Sequence, residues 1–261
     1  MKTGSVPRDG CEIRYEMDGD GPDVVFAHAL GLDRHIWDDV AYHLPDHRTI
    51  RLDMRGHGQS EAPDGPYTMG GLIADAEAVC DALEVRDAVF VGNSVGGMIG
   101  QGLAVKRLDM LRGLVLSNSS AKFGLPAQWH DRAAQVRDAG MAAVADMTLE
   151  KWFGPKNRDG PAATWARERL LLCDPVGYAG CCEAIAGTDF YSPTSGLRLP
   201  TLGIAGDRDG STPPDLVRET TELIPGAEFT LMRGSGHLPC LDAPSDFAKR
   251  LHGFFRGIGH V

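Results

Sequence analysis

Ser94 stands in Gly92-Asn93-Ser94-Val95-Gly96, between an apolar run at 88–91 and a helix-like stretch that begins at Val95. The spacing G-x-S-x-G is that of a nucleophile elbow. A serine on a tight strand-to-helix turn needs almost no bulk two residues to either side, and glycine supplies that room. Such a turn lifts the hydroxyl above the sheet edge. It also aims the free N–H groups and positive end of the following helix at the same point. The chemistry implied is nucleophilic attack by a hydroxyl, which stays weak until a base takes its proton and a carboxylate orients that base.

Two later loops offer the partners. Ile204-Ala205-Gly206-Asp207-Arg208-Asp209-Gly210 places two aspartates just past an apolar strand, and Gly234-Ser235-Gly236-His237-Leu238 places a histidine past the next one. Loops at the carboxyl ends of parallel strands are where open α/β sheets hold their sites. His237 is the expected base, because its glycine-rich loop lets the imidazole turn toward Ser94. Asp209 is the expected acid. Asp207 follows the strand directly and is expected to bind loop backbone, while Asp242 is expected to start a helix. An oxyanion formed at the attacked carbonyl needs aimed donors. The Val95 N–H is one, and the Leu30 N–H, in His28-Ala29-Leu30-Gly31 after the third strand, is the other. His28 itself is expected to brace that loop.

These groups require a particular frame. Apolar strands are expected at 23–27, 47–53, 88–91 and 113–117, alternating with helices at 34–44, 68–83 and 95–106. The strands are apolar throughout rather than alternating, which indicates a mostly parallel sheet covered by helices on both faces. An edge strand is expected at 12–17. From 122 to 197 the rhythm changes to helices alone, around 129–145, 163–172 and 178–186. The expected organisation is therefore a core of 1–121 and 198–261, with 122–197 inserted as a helical cap over the active end of the sheet. Strand and helix then alternate again to about Phe255, and 257–261 is expected to be a frayed tail.

Composition sets outer limits. With 43% hydrophobic and 24% charged residues among 261, the chain can fill a globular core. A net charge of -10, with no basic run, argues against nucleic-acid binding. No apolar stretch is long enough to span a bilayer and no secretory leader is visible, so a cytoplasmic location is expected. The six cysteines lack C-x-x-C spacing and are expected to be reduced. No H-E-x-x-H or cysteine–histidine cluster suggests a metal, and no cofactor is expected. Nothing in the pattern specifies an oligomeric state.

Taken together, the chain resembles the α/β-hydrolase family over essentially its whole length. The motifs are the elbow, Asp53-Met54-Arg55-Gly56-His57-Gly58-Gln59-Ser60, the G-x-x-D loop and the late Gly-His. It is most similar to the 3-oxoadipate enol-lactonase group. That likeness lies in the segments 28–38, 60–68 and 117–122, and in the cap segments at 129–132, 140–141, 151–153 and 177–185. It departs from the group at His28-Ala29 and at Leu238-Pro239-Cys240, both on the pocket wall. The resemblance implies a serine hydrolase that opens a small lactone ring, 3-oxoadipate enol-lactone first, through an acyl-enzyme. A carboxylated substrate needs a local cation in so acidic a protein. Arg132 and Arg137 are the candidates, with Trp129 and Trp152 as apolar walls. Alternatives are a broad carboxylesterase with perhydrolase side activity, or a ligand receptor on the same fold. Dehalogenases and epoxide hydrolases place an aspartate at the elbow and are disfavoured.

Overall fold

The computed structural model describes residues 1–261. Eight strands form its sheet: β1 (Lys2–Arg8), β2 (Cys11–Asp18), β3 (Asp23–Ala27), β4 (Arg48–Leu52), β5 (Ala88–Asn93), β6 (Leu111–Ser117), β7 (Thr201–Gly206) and β8 (Glu228–Met232). They lie in the order β1-β2-β4-β3-β5-β6-β7-β8. The pairs β1–β2 and β2–β4 are antiparallel, and β3 to β8 all run parallel. The central strands are sealed on both faces: 24–27 and 88–91 expose nothing to solvent, as expected for strands covered by helices. The mostly parallel sheet with both faces covered is the one expected.

Expectations at both ends of the chain need correction. The strand at 12–17 is not the edge, because Lys2–Arg8 pairs outside it from Lys2↔Met17 to Arg8↔Cys11. Its sequence, KTGSVPR, alternates exposed and half-buried positions and gives no apolar signal. Pro7 is tolerated there because an edge strand need not donate every N–H. The C-terminal tail is not frayed either. His260 is buried, its Nε2 donates to the Asp23 carbonyl at 3.0 Å, and Arg112 holds the Ile258 carbonyl at 3.0 Å.

The core helices are α1 (Asp38–Tyr42), entered through a 3-10 turn at Arg34–Trp37, then α2 (Met69–Ala82) and α3 (Val95–Lys106). Thr68 caps α2, accepting the Gly71 N–H at 3.1 Å. Between β6 and β7 the chain is helical only: α4 (Pro126–Ala139), α5 (Ala142–Trp152), α6 (Pro161–Leu172), α7 (Pro175–Ala186) and α8 (Tyr191–Ser195). The single helix expected at 129–145 is two, because Gly140 takes φ 72° and ends the first. The last helices are α9 (Pro214–Glu222), α10 (Pro239–Asp242) and α11 (Pro244–Gly257). The start of α7 lands on the 53–60 turn through two glycines. A Cβ on Gly56 would stand 2.2 Å from the Gly177 Cα, so only bare backbone permits the approach. All six cysteines are buried and unpaired. Burial pushes the Cys80 and Cys182 thiols up to about 12, so they remain protonated packing groups. No helix is long and apolar enough to cross a membrane.

Candidate active site

Ser94 is the single residue between β5 and α3, with φ 56° and ψ -120°. Side chains rarely adopt that backbone, and holding one there costs on the order of 1–3 kcal/mol. The neighbouring glycines explain how the turn closes. A Cβ on Gly92 would sit 2.2 Å from the Gly96 carbonyl oxygen, and one on Gly96 would sit 2.3 Å from that of Ala27. The strained turn is clamped on both sides. The Ser94 N–H donates to the Ser117 carbonyl at 2.9 Å, and the Ser94 carbonyl accepts the Ser119 hydroxyl at 2.7 Å.

His237, which borders the same cavity as Ser94, pairs with Asp209. The imidazole Nδ1 lies 2.8 Å from Asp209 Oδ2, with both side chains removed from solvent. Asp209 is oriented by donors alone: its Oδ1 accepts the N–H groups of Ser211 (2.7 Å) and Thr212 (3.0 Å), and Oδ2 also accepts Asn118 Nδ2 at 2.7 Å. Asp207 instead accepts the Gly234 N–H at 2.7 Å and stays with the loop backbone, as expected. Asp242 is not a helix-start residue. It closes α10, and its carboxylate accepts the Gly236 N–H at 2.7 Å and Asn157 Nδ2 at 2.9 Å, tying down the histidine loop.

Helix α5 supports the same pair. Its last carbonyls lack partners within the helix, and they accept the His237 N–H (Trp152, 2.7 Å) and the Gly210 N–H (Lys151, 2.9 Å). The Trp152 ring also stacks on the imidazole, 6.0 Å between centroids at 17°. Asn93 and Asn118 complete the frame by donating to the His237 (3.2 Å) and Gly236 (3.2 Å) carbonyls. Neither asparagine was anticipated. The one available signal was the polar run Ser117-Asn118-Ser119-Ser120 directly after an apolar strand.

The loop after β3 is held from below. His28 Nδ1 donates to the Ala29 carbonyl at 2.8 Å and its Nε2 accepts the Met54 N–H at 3.0 Å. His57 mirrors it, with Nδ1 on the Arg55 carbonyl (3.1 Å) and Nε2 accepting the Gly31 N–H (2.9 Å). Each ring nitrogen is thus committed, and each imidazole must be neutral. Burial accordingly lowers the His28 pKa to about 4 and that of His57 to about 3. Because these folded values lie below the unfolded one near 6.5, the contribution is complete above pH 6.5 and is lost as pH falls toward 4 and 3. Each histidine then costs up to about 1.4 kcal/mol per pH unit. Melting temperature is expected to fall steadily below pH 6.5. The fall should be shallower in His57→Gln, which keeps an acceptor for Gly31 but cannot titrate. Parallel curves for the two proteins would contradict this account. The Leu30 N–H, next in that loop, donates to no atom of the chain. Val95 opens α3, so its N–H is among those a helix start leaves free.

Ser94, His237 and Leu30 all border one cavity of about 440 Å³. Its other wall comes from the helices between β6 and β7, including Trp129, Arg132, Thr148, Trp152 and Tyr178. Trp129 is anchored through Nε1 to the Phe123 carbonyl at 2.7 Å. Arg132 is held by two neutral hydroxyls, Tyr178 (2.7 Å from Nε) and Thr148, and forms no ion pair. Its charge is therefore fixed in place without being neutralised. Arg137, the other candidate cation, does not border the cavity and pairs with Glu183 at 2.7 Å. No group of three or more His, Cys, Asp or Glu side chains is arranged to hold a metal ion.

Comparison with known proteins bears on the family and the fold. The family model for the alpha/beta hydrolase fold matches residues 22–244. The 3-oxoadipate enol-lactonase 2 of Acinetobacter baylyi is 34% identical over 196 residues, 74% of this chain and 73% of that protein. The crystal structure of the enol-lactonase from Burkholderia xenovorans LB400 superposes with a TM-score of 0.92 at 33% identity, covering 97% of this chain and 100% of that one. A thermophilic esterase from Thermogutta terrifontis superposes with a TM-score of 0.94 at 26% identity, covering 100% of both chains.

Proposed function

Since the chain belongs to the alpha/beta hydrolase fold family, we propose that it hydrolyses a carboxylic ester or lactone through an acyl-enzyme on Ser94, with 3-oxoadipate enol-lactone as its substrate. The observation that carries the proposal is the convergence of Ser94, the His237–Asp209 pair, the unclaimed Leu30 amide and an unpaired Arg132 on one cavity. Ser94 Oγ attacks the lactone carbonyl as His237 Nε2 takes its proton. Asp209 stays ionised and holds the imidazole in the tautomer that can accept. The Leu30 and Val95 N–H groups receive the oxyanion. Collapse of the tetrahedral intermediate breaks the ring C–O bond, and His237 returns the proton to the leaving enol oxygen. Water, deprotonated by His237, then attacks the acyl carbonyl and releases Ser94. The helices within 122–197 act as the cap over the core of 1–121 and 198–261. Trp129 and Trp152 form its apolar walls and Arg132 binds the substrate carboxylate.

A broader esterase is the second proposal, favoured by the cavity itself. A volume of about 440 Å³ with Phe123, Met147 and Leu216 on its wall exceeds what a small lactone fills. Arg132→Ala separates the two. For the enol-lactone, the variant is expected to raise KM about 10- to 100-fold, the span of one hydrogen bond to a charged group, with 4-nitrophenyl butyrate hydrolysis within about threefold of wild type. Equal losses on both substrates would remove Arg132 from substrate recognition. Turnover of the ester with none of the lactone would leave the esterase proposal standing alone.

A further inference from the structure

Beside Arg132 the cavity wall holds a polar atom whose bonding is incomplete within the chain. Tyr178, on α7, is 1% exposed yet borders the same cavity as Ser94. Its hydroxyl oxygen accepts the Arg132 Nε–H at 2.7 Å. A phenol also has one hydrogen to give, and no atom of this chain accepts it. A buried donor left unmet is costly, and the cavity that Tyr178 borders is where an acceptor can approach it. Burial pushes the Tyr178 pKa well up, which keeps that hydrogen in place.

The surroundings select what the acceptor is. Arg132 spends Nε on Tyr178 and Nη2 on Thr148, leaving Nη1 free, with no carboxylate paired to it. A hydrogen bond from a guanidinium polarises the phenol and makes its own O–H a stronger donor. A neutral donor and an uncompensated cation side by side match the two oxygens of one carboxylate. The pair is also tied to the loop that carries the Leu30 amide, since a Cβ on Gly31 would stand 2.9 Å from Tyr178 Cε2.

We propose that Tyr178 is a substrate-contacting specificity residue, whose O–H donates to the same substrate carboxylate that Arg132 binds. This rests on the proposed hydrolysis of a carboxylated ester or lactone at Ser94. The site then prefers monoanionic esters and lactones over neutral ones through two donors of different kind. Without the Tyr178 hydroxyl Arg132 keeps only its bond to Thr148, so the double variant is needed to separate the two contributions.

The test compares mono-4-nitrophenyl adipate, which carries a free carboxylate, with neutral 4-nitrophenyl hexanoate. Wild type, Tyr178→Phe, Arg132→Met and the double variant are assayed on both. Phenylalanine keeps the buried ring, and activity on the neutral ester reports that the fold is intact. Tyr178→Phe is expected to lower kcat/KM for the anionic ester about tenfold, mainly through KM, with the neutral ester within about twofold. In the Arg132→Met background it should still cost about threefold. Wild-type behaviour of Tyr178→Phe on both esters overturns the proposal. Absence of any further loss in the Arg132→Met background also overturns it, because Tyr178 would then only prop Arg132. If wild type shows no preference for the anionic ester and Arg132→Met changes nothing, the carboxylated-substrate proposal fails, and this one with it.

Discussion

Replacing Ser94 by glycine is expected to abolish hydrolysis and at the same time to stabilise the protein. The loss of turnover follows from removing the nucleophile, and a drop of at least about 10⁴-fold is the scale for such a deletion. The gain in stability follows from the backbone. At φ 56° and ψ -120° a Cβ is strained by on the order of 1–3 kcal/mol, which glycine does not suffer. Glycine loses about 0.5–1 kcal/mol of that advantage through its greater freedom in the unfolded chain. About 1 kcal/mol should remain, or a rise in Tm of about 2–4 °C for a domain of this size. Ester hydrolysis and a thermal melt on one preparation check both halves. An unchanged or lower Tm would mean that the elbow stores no strain. Retained turnover would mean that Ser94 is not the nucleophile. Ser94→Ala would lose activity in the same way without the rise in Tm, since alanine keeps the Cβ.

Much of this site was legible in the residues because its central parts are local. The elbow is a five-residue pattern whose glycines have a steric reason, and helix α3 begins at Val95 as the spacing required. The partners were legible because a strand end followed by a small-residue loop is a recognisable local event, and two such loops follow in order. What stayed hidden depends on which elements become neighbours. Asn118 reaches Asp209 across 91 positions and Asn93 reaches the His237 carbonyl across 144. No local pattern announces such contacts. Tyr178 reads as an apolar helix position until α7 is seated against the loop that carries Gly31. Strand β1 and the docked tail were missed for a related reason. Neither carries an apolar run, and each is ordered by what it touches, the one by pairing with β2 and the other by burial of His260 beside Phe255. Asp242 looked like a helix start, yet its carboxylate serves the histidine loop upstream.

The Asp209→Asn variant is expected to lose about 10⁴-fold in kcat with the fold retained, a loss that hydrogen-bond counting explains. Both oxygens of Asp209 act only as acceptors. Oδ1 takes two backbone N–H groups, and Oδ2 takes Asn118 Nδ2 and His237 Nδ1. An asparagine has one acceptor oxygen and one NH₂. If the oxygen keeps the loop amides of Ser211 and Thr212, the NH₂ meets one donor, Asn118 Nδ2, and donates to His237 Nδ1. The His237 proton is then forced to Nε2, the atom that must accept from Ser94. If the amide flips, its NH₂ meets two N–H donors, and the loop that carries the residue is set against it. The first arrangement costs the fold less, so the variant should melt within a few degrees of wild type while the imidazole is held in the wrong tautomer. Steady-state hydrolysis of 4-nitrophenyl butyrate measures the loss. Nitrogen chemical shifts of the His237 ring read the tautomer directly, and a proton still on Nδ1 in the variant would contradict this explanation. An Asp207→Asn control leaves the imidazole untouched, because Asp207 contacts only the Gly234 amide and the neighbouring Arg208 guanidinium. The two aspartates, two positions apart in one loop, are therefore expected to differ by about four orders of magnitude in their effect on turnover.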